Sequence, residues 1–273
     1  MLEDLELADY LPAGDEQLYY VLHRAMGAPK GRVLLLGPFA SERPHRYIPW
    51  VRWARFLSRR GFEAMRFDYR GCGESSGRFE DQDFFSWKDD ARRCLDWLEA
   101  RRPQAPTIIH GLGMGALLAD KLFREGLGDA LILWLPPKSG RDMLYQQLQL
   151  KLANDFVLKP AMKKTRDQYI ADLEGGEPVE VEGYVWTRRL WDSASGFAVD
   201  EAADRGAIDG RPWTIQPLDP CAAHMFGGVG PNPLRKEGAR RQMWLLNPDL
   251  SRTFDDVVSW VEATMCRDRG SPE

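Results

Sequence analysis

The residues best placed to do chemistry lie in Thr107-Ile108-Ile109-His110-Gly111-Leu112-Gly113-Met114-Gly115-Ala116. An apolar run stops at a glycine cluster, and a small-residue helical pattern follows. This is the layout of a nucleophile elbow, Gly-x-nucleophile-x-Gly on a sharp strand-to-helix turn. The outer glycines let strand and helix approach, and the centre lifts one side chain into solvent. The chemistry it serves is attack on an acyl carbonyl. Here the outer positions are Gly111 and Gly115, and the centre is Gly113, which has no side chain to attack with.

Acyl transfer of this kind needs a nucleophile, a base, an acid that orients the base, and an oxyanion hole. The base is expected just after the last strand, where Trp244-Leu245-Leu246-Asn247-Pro248-Asp249-Leu250 holds no histidine. His224 is the nearest candidate base and Asp219 the candidate acid. The oxyanion donors are backbone amides, so side-chain loss does not remove them; they are expected at Met114 and in the Phe39-Ala40 region. His110 reads first as a core histidine, and His45 as a loop residue within reach of a ligand. Substitute nucleophiles are Cys72, Ser75 and Ser76 in the glycine-rich YRGCGESSG loop, with Ser41 and Ser139 weaker; Ser75 reads chiefly as a loop-shaping residue. Gly111 to Ala116 also fits the dinucleotide pattern G-x-G-x-x-A. That pattern belongs after a first strand, with an acid ending the next one, whereas here the next strand closes in Leu135-Pro136-Pro137. No cofactor is expected, and no His/Asp/Cys cluster has metal-ligand spacing.

The elements that must hold these residues alternate between strand and helix. Gln17 to His23 reads as a strand, and Arg32 to Leu36 as a strand buried on both faces. A loop follows over Gly37 to Arg46, then a helix from Tyr47 to Arg60 with Val51, Ala54, Phe56 and Leu57 on one face and Gly61 as its cap. Glu63 to Asp68 is the next strand. Phe84 to Ala100 is an amphipathic helix with Trp87, Ala91, Cys94, Leu95 and Leu98 inward, and Ala130 to Leu135 is a further buried strand. Alternation of this kind means a parallel α/β sheet. The rhythm then breaks over residues 138–175, which read as a helical lid insertion made basic by Lys159, Lys163, Lys164 and Arg166. Val179 to Arg188 is extended, Asp200 to Gly210 is weakly structured, and Arg211 to Asp219 reads as a late strand. Gly227 to Asn232 is a loop, Gln242 to Leu246 a final strand, and Phe254 to Met265 a closing helix. The 273 residues read as a single domain, and 44% hydrophobic content suits a sizeable core. A net charge of −4 argues against a nucleic-acid partner. No apolar run reaches the ~20 residues of a membrane span, and the acidic start, Met1 to Glu6, is unlike a secretory leader. Cys72, Cys94, Cys221 and Cys266 are scattered, which suits reduced thiols in the cytoplasm.

The order of these parts resembles the α/β-hydrolase fold: a doubly wound, mostly parallel sheet with a helical lid. Its landmarks are the loop after Leu34-Leu35-Leu36, the D-x-x-G-x-G-x-S run Asp68 to Ser75, and the elbow. Within that superfamily the chain is similar to the hydrolases associated with the exosortase A system, second type. The similarity is carried by Gly37-Pro38-Phe39-Ala40, the FDYRGCGESSG run, Gly115 to Ala119, Gly176-Glu177 and Val181 to Tyr184, over roughly residues 15–190. The resemblance implies a bacterial setting in polysaccharide synthesis and protein sorting. With Gly113 at the elbow and no late histidine, the expectation is a degenerate member. It would bind a small acyl or carbonyl-containing ligand without cleaving it, or a protein partner through the lid. The competing expectation is an active esterase, thioesterase or acyltransferase with a different nucleophile.

Overall fold

The computed structural model describes residues 5–158, 164–199, 207–218, 220–226 and 250–267. The chain opens with a hairpin, β1 (Glu6–Ala13) and β2 (Glu16–His23), turning at Gly14. The sequence gives little sign of β1, because it is an edge strand: Asp9 and Tyr10 are exposed, and Pro12 is tolerated where no further strand needs its amide. The parallel core follows as β3 (Gly31–Leu36), helix α1 (Arg43–Arg59), β4 (Phe62–Phe67), α2 (Phe84–Arg101), β5 (Thr107–Leu112), α3 (Met114–Arg124) and β6 (Ala130–Trp134). Two helices form the insertion, α4 (Gly140–Leu158) and α5 (Arg166–Gly175). A small hairpin, β7 (Val179–Val181) with β8 (Tyr184–Trp186), leads into α6 (Arg188–Ser193). The late elements are β9 (Ala207–Ile208), β10 (Arg211–Ile215), α7 (Pro220–Met225) and α8 (Ser251–Arg267).

Eight strands form one sheet in the order β1-β2-β4-β3-β5-β6-β10-β9. The inner five are parallel, and the β2 and β9 pairings are antiparallel. Strands β3, β5 and β6 are buried on both faces, as their unbroken apolar runs require. Alternate residues divide between two cores. Val33, Leu35, Ile108 and Ile132 pack with Trp50 and Trp53 of α1 and Phe254, Val257 and Val261 of α8. Leu34, Leu36, Ile109 and Leu133 pack with α2, α3 and the insertion, including Leu144, Leu148, Tyr169 and Leu173.

The expected helix starting at Tyr47 begins four residues earlier, at Arg43, which converts half of the expected loop into its first turn. A proline hides this start. Pro44 sits in the first turn, where its missing amide costs nothing, and Pro49 lies inside the helix. The buried face is also different: Pro49, Trp50, Trp53, Ala54 and Leu57 point inward, while Val51 and Phe56 are only half-buried. The inward face of α2 is the expected one, and its start is fixed by a capping box between Asp83 and Ser86. The expected segments Gly227 to Asn232 and Gln242 to Leu246, most of Asp200 to Gly210, and Lys159 and Lys163 lie outside the described residues.

Candidate active site

The backbone between β5 and α3 makes the elbow. Gly113 stands at φ +58°, ψ −120°, a region costly for residues with a side chain, and its amide donates to the Trp134 carbonyl at 3.0 Å. The outer glycines are there for space. A Cβ on Gly111 would lie 2.6 Å from the Ala116 amide nitrogen, and one on Gly115 would collide with the Leu36 carbonyl and lie 2.5 Å from that of Gly37. The chain therefore keeps the elbow's close strand–helix approach. The amides of Met114 and Gly115 open α3 with no preceding helical carbonyl to bond, so the positive end of the helix faces the turn.

The space that a nucleophile would fill is taken by Arg46. Its Nη1 lies 2.8 Å from where a Cβ on Gly113 would be, and Glu42 Oε2 lies 3.5 Å from the same point. Arg46 projects from the first turn of α1, and its Nη2 donates to Glu42 Oε1 at 2.8 Å. Both side chains are largely buried, at 11% and 19% exposure. Burial pushes the Glu42 carboxyl above its ordinary range and the Arg46 guanidinium below its own, while each ion's attraction for the other opposes this. Gln147 of α4 donates to Glu42 Oε1 at 3.2 Å and accepts from the Ser41 hydroxyl at 3.1 Å. A polar chain thus runs from the insertion to the elbow.

Above it is an open cleft of about 830 Å³, walled by Gly113, Met114, the Leu135-Pro136-Pro137-Lys138 turn, α4 and the start of α5. Its apolar wall includes Met114, Leu135, Met143 and Ile170, and Lys138 and Arg166 bring further positive charge.

Each substitute nucleophile is buried or hydrogen-bonded. Burial pushes the Cys72 thiol up to about 12. The Ser75 hydroxyl donates to the Asp68 carbonyl at 2.5 Å and accepts from the Tyr19 amide at 2.8 Å, so it ties the loop to β2 as the sequence suggested. The Ser76 hydroxyl accepts from the Gln17 amide at 2.7 Å. Ser139 is joined to Asp142 at the start of α4, at 2.7 Å. Asp68, which opens the same loop, is held by two-pronged bonds from Arg43 at 2.7–3.0 Å and accepts from the Glu74 amide. His110 is a core residue: its Nδ1 accepts from Trp53 Nε1 at 3.1 Å, and Trp50 and Trp134 pack edge-on against it. Burial drives its pKa down to about 3, so it is neutral. His45 is exposed on α1, not in a loop.

Of the expected site residues, Gly113 and Met114 line the cleft. Pro38 passes beside the elbow, its Cβ 3.8 Å from the same point above Gly113, and leads into Phe39 and Ala40. Phe39 is packed edge-on against Phe79, Trp87 and Trp186, and its carbonyl accepts from the amides of Glu42 and Arg43. His224 falls on α7; its side chain and Asp219 lie outside the described residues. The residues that sequence reasoning missed are Glu42, Arg46 and Gln147. The available signal was the i, i+4 spacing of Glu42 and Arg46, which means a pair only if that stretch is helical.

The family model for serine aminopeptidase S33 matches residues 42–170, under half of the chain. Lysophosphatidylserine lipase ABHD12 of Macaca fascicularis is 32% identical over 130 residues, covering 45% of this chain and 30% of the relative; the Mus musculus protein gives the same figures. The chain thus spans about a third of the length of these curated relatives. Among solved structures, Est1E of Butyrivibrio proteoclasticus, determined with ferulic acid bound, aligns with a TM-score of 0.50 at 19% identity, over 69% of this chain and 71% of that one. A soluble variant of monoglyceride lipase from Saccharomyces cerevisiae aligns with a TM-score of 0.48 at 18% identity, over 70% and 68%. The chain has the α/β-hydrolase fold. Among the described residues no helix is long and apolar enough to cross a membrane.

Proposed function

We propose that this protein is a hydrolase-fold binding protein without serine-hydrolase activity, in which the helical insertion is a lid over a retained cleft. The observation that carries the reading is the Arg46 guanidinium, ion-paired to Glu42, in the space that a nucleophilic side chain would occupy. Two facts add to it. The sequence holds no histidine after His224. Cys72, Ser75 and Ser76 are each buried or committed to holding their loop. A small acyl or carbonyl-containing ligand suits a cleft with an apolar wall and the amide end of α3 at its floor. The motif runs similar to the exosortase-associated proteins support a role in bacterial polysaccharide synthesis or protein sorting, and the scattered cysteines favour the cytoplasm.

The test is labelling with a fluorophosphonate probe alongside hydrolysis of p-nitrophenyl butyrate and decanoate by the purified chain. The expected result is neither labelling nor turnover above a heat-denatured control. Turnover accompanied by labelling of one residue would overturn the reading and identify the nucleophile.

A further inference from the structure

The same cleft suggests what it binds, granted that the elbow does not cleave. We propose that the cleft is a receptor for an organic carboxylate with an apolar body, its carboxylate taking the place at Arg46 that Glu42 holds in the empty protein. Four observations point this way. First, Arg46 is a largely buried guanidinium aimed at the point where a hydrolase fold presents the reacting group, with Nη1 facing the elbow and Nη2 engaged. Second, its resident partner is itself a carboxylate. Arg46 is thus already in a guanidinium–carboxylate pair, with Nη2 on Glu42 Oε1 at 2.8 Å. Third, Arg166 at the start of α5 lines the same cleft with its side chain 41% exposed, so a second cation is open to a bound anion. Fourth, Met114, Leu135, Met143 and Ile170 give the ligand's body an apolar wall next to these cations.

The acids of the cleft do not cancel this. Asp142 is bonded to Ser139, and Asp167, which accepts from Arg166 Nη2 at 3.4 Å, is 83% exposed, where solvent screens that pair. Glu42 is the real competitor. It holds Arg46 in place when no ligand is present, and it has Gln147 to turn to when displaced. Arg46 and Glu42 thus select for an acid and against its ester. An ester cannot offer the charge that would offset separating the resident pair.

The experiment is calorimetric titration of the intact chain with sodium decanoate, methyl decanoate and 1-decanol. Decanoate is expected to bind, and the ester and alcohol to bind at least tenfold more weakly or not at all. Glu42→Gln keeps the Gln147 contact and removes the competitor, so it should tighten decanoate binding several-fold. Arg46→Gln should weaken it at least tenfold, and Arg166→Gln by a smaller factor. Circular dichroism and unfolding curves on each variant separate lost binding from lost fold. No decanoate binding, equal binding of the methyl ester, or an unchanged affinity in Glu42→Gln and Arg46→Gln would each overturn the proposal. Esterase turnover with labelling would instead defeat the non-catalytic reading. Silence in that assay with no acid binding defeats only the carboxylate assignment.

Discussion

Gly113 keeps the backbone of an elbow while Arg46 fills the space above it, and the two are linked sterically. A side chain on Gly113 meets both a strained φ of +58° and the Arg46 guanidinium 2.8 Å away. The strain alone costs about 1–3 kcal/mol. Gly113→Ala should therefore destabilise the protein, and less so when Arg46 is also Ala. In a double-mutant cycle read by urea unfolding, the coupling should be at least about 0.5 kcal/mol; additive losses would mean that Arg46 does not occupy the elbow. A second residue-scale consequence concerns pH. His110 is neutral in the fold, with its pKa pushed by burial from 6.5 to about 3. Between those values the unfolded chain takes up a proton that the folded one does not. This contribution is therefore complete above pH 6.5 and is lost as pH falls toward 3. His110→Gln keeps an acceptor for Trp53 Nε1 and should flatten the acid side of the stability–pH curve. His23, lowered by burial to about 4, acts in the same direction. Asp90, raised by burial to about 6, acts in the opposite one, and both remain in the variant. Equal slopes in the two proteins would show that His110 is solvated. At this scale the lack of a side chain at the elbow centre was legible, because glycine there is visible in one residue. The occupant of that space was not, because a guanidinium arriving from another element leaves no local pattern.

The elements differ in how openly the sequence declares them, and the differences have physical causes. Helix α2 shows its face at Trp87, Ala91, Cys94, Leu95 and Leu98, because one side meets the core and the other meets water. Strands β3, β5 and β6 are plain as apolar runs, since both faces are covered. Helix α1 is only partly so, because Pro44 reads as a loop residue, and the first turn it hid holds the i, i+4 pair of the site. Strand β1 pairs on one edge only and carries little apolar signal. The junction between β3 and α3 is the element-scale feature that the elbow depends on. A methyl on Gly115 would strike the Leu36 and Gly37 carbonyls, which belong to backbone and cannot rotate away. Gly115→Ala should cost about 3 kcal/mol or more, by forcing helix from strand. Gly175 ends α5 with nothing within 4 Å of an added Cβ. Gly175→Ala should therefore be neutral or stabilise by up to about 1 kcal/mol through helix propensity. Urea unfolding of the pair checks this, and similar losses at both positions would remove the claim that close approach fixes Gly115.

At the scale of the whole molecule, the question is whether the insertion folds with the sheet or rests on it. Leu144 and Leu148 of α4 and Tyr169 and Leu173 of α5 are buried in the same apolar cluster as Leu34, Ile109 and Leu133 of the central strands. A cover that moves freely would instead bring its own small core and bury little against the sheet. Continuity of the cluster implies that opening the insertion exposes central apolar surface, so its stability should approach that of the whole. Leu148→Ala should then cost about 2–5 kcal/mol, and it should do so in one transition followed equally by circular dichroism and fluorescence. In native-state hydrogen exchange, amides in the first half of α4 should open with the same free energy as those of β5. A lower opening energy confined to α4 and α5 would mean a cover that lifts separately. The distinction bears on how the cleft is reached. If the insertion opens only with the global fold, ligand must enter through the existing mouth of the cleft, and Arg46 and Glu42 alone decide what stays. If it opens separately, admission is set by the insertion, and the Gln147 link to Glu42 becomes the contact that reports to the elbow whether the cover is closed.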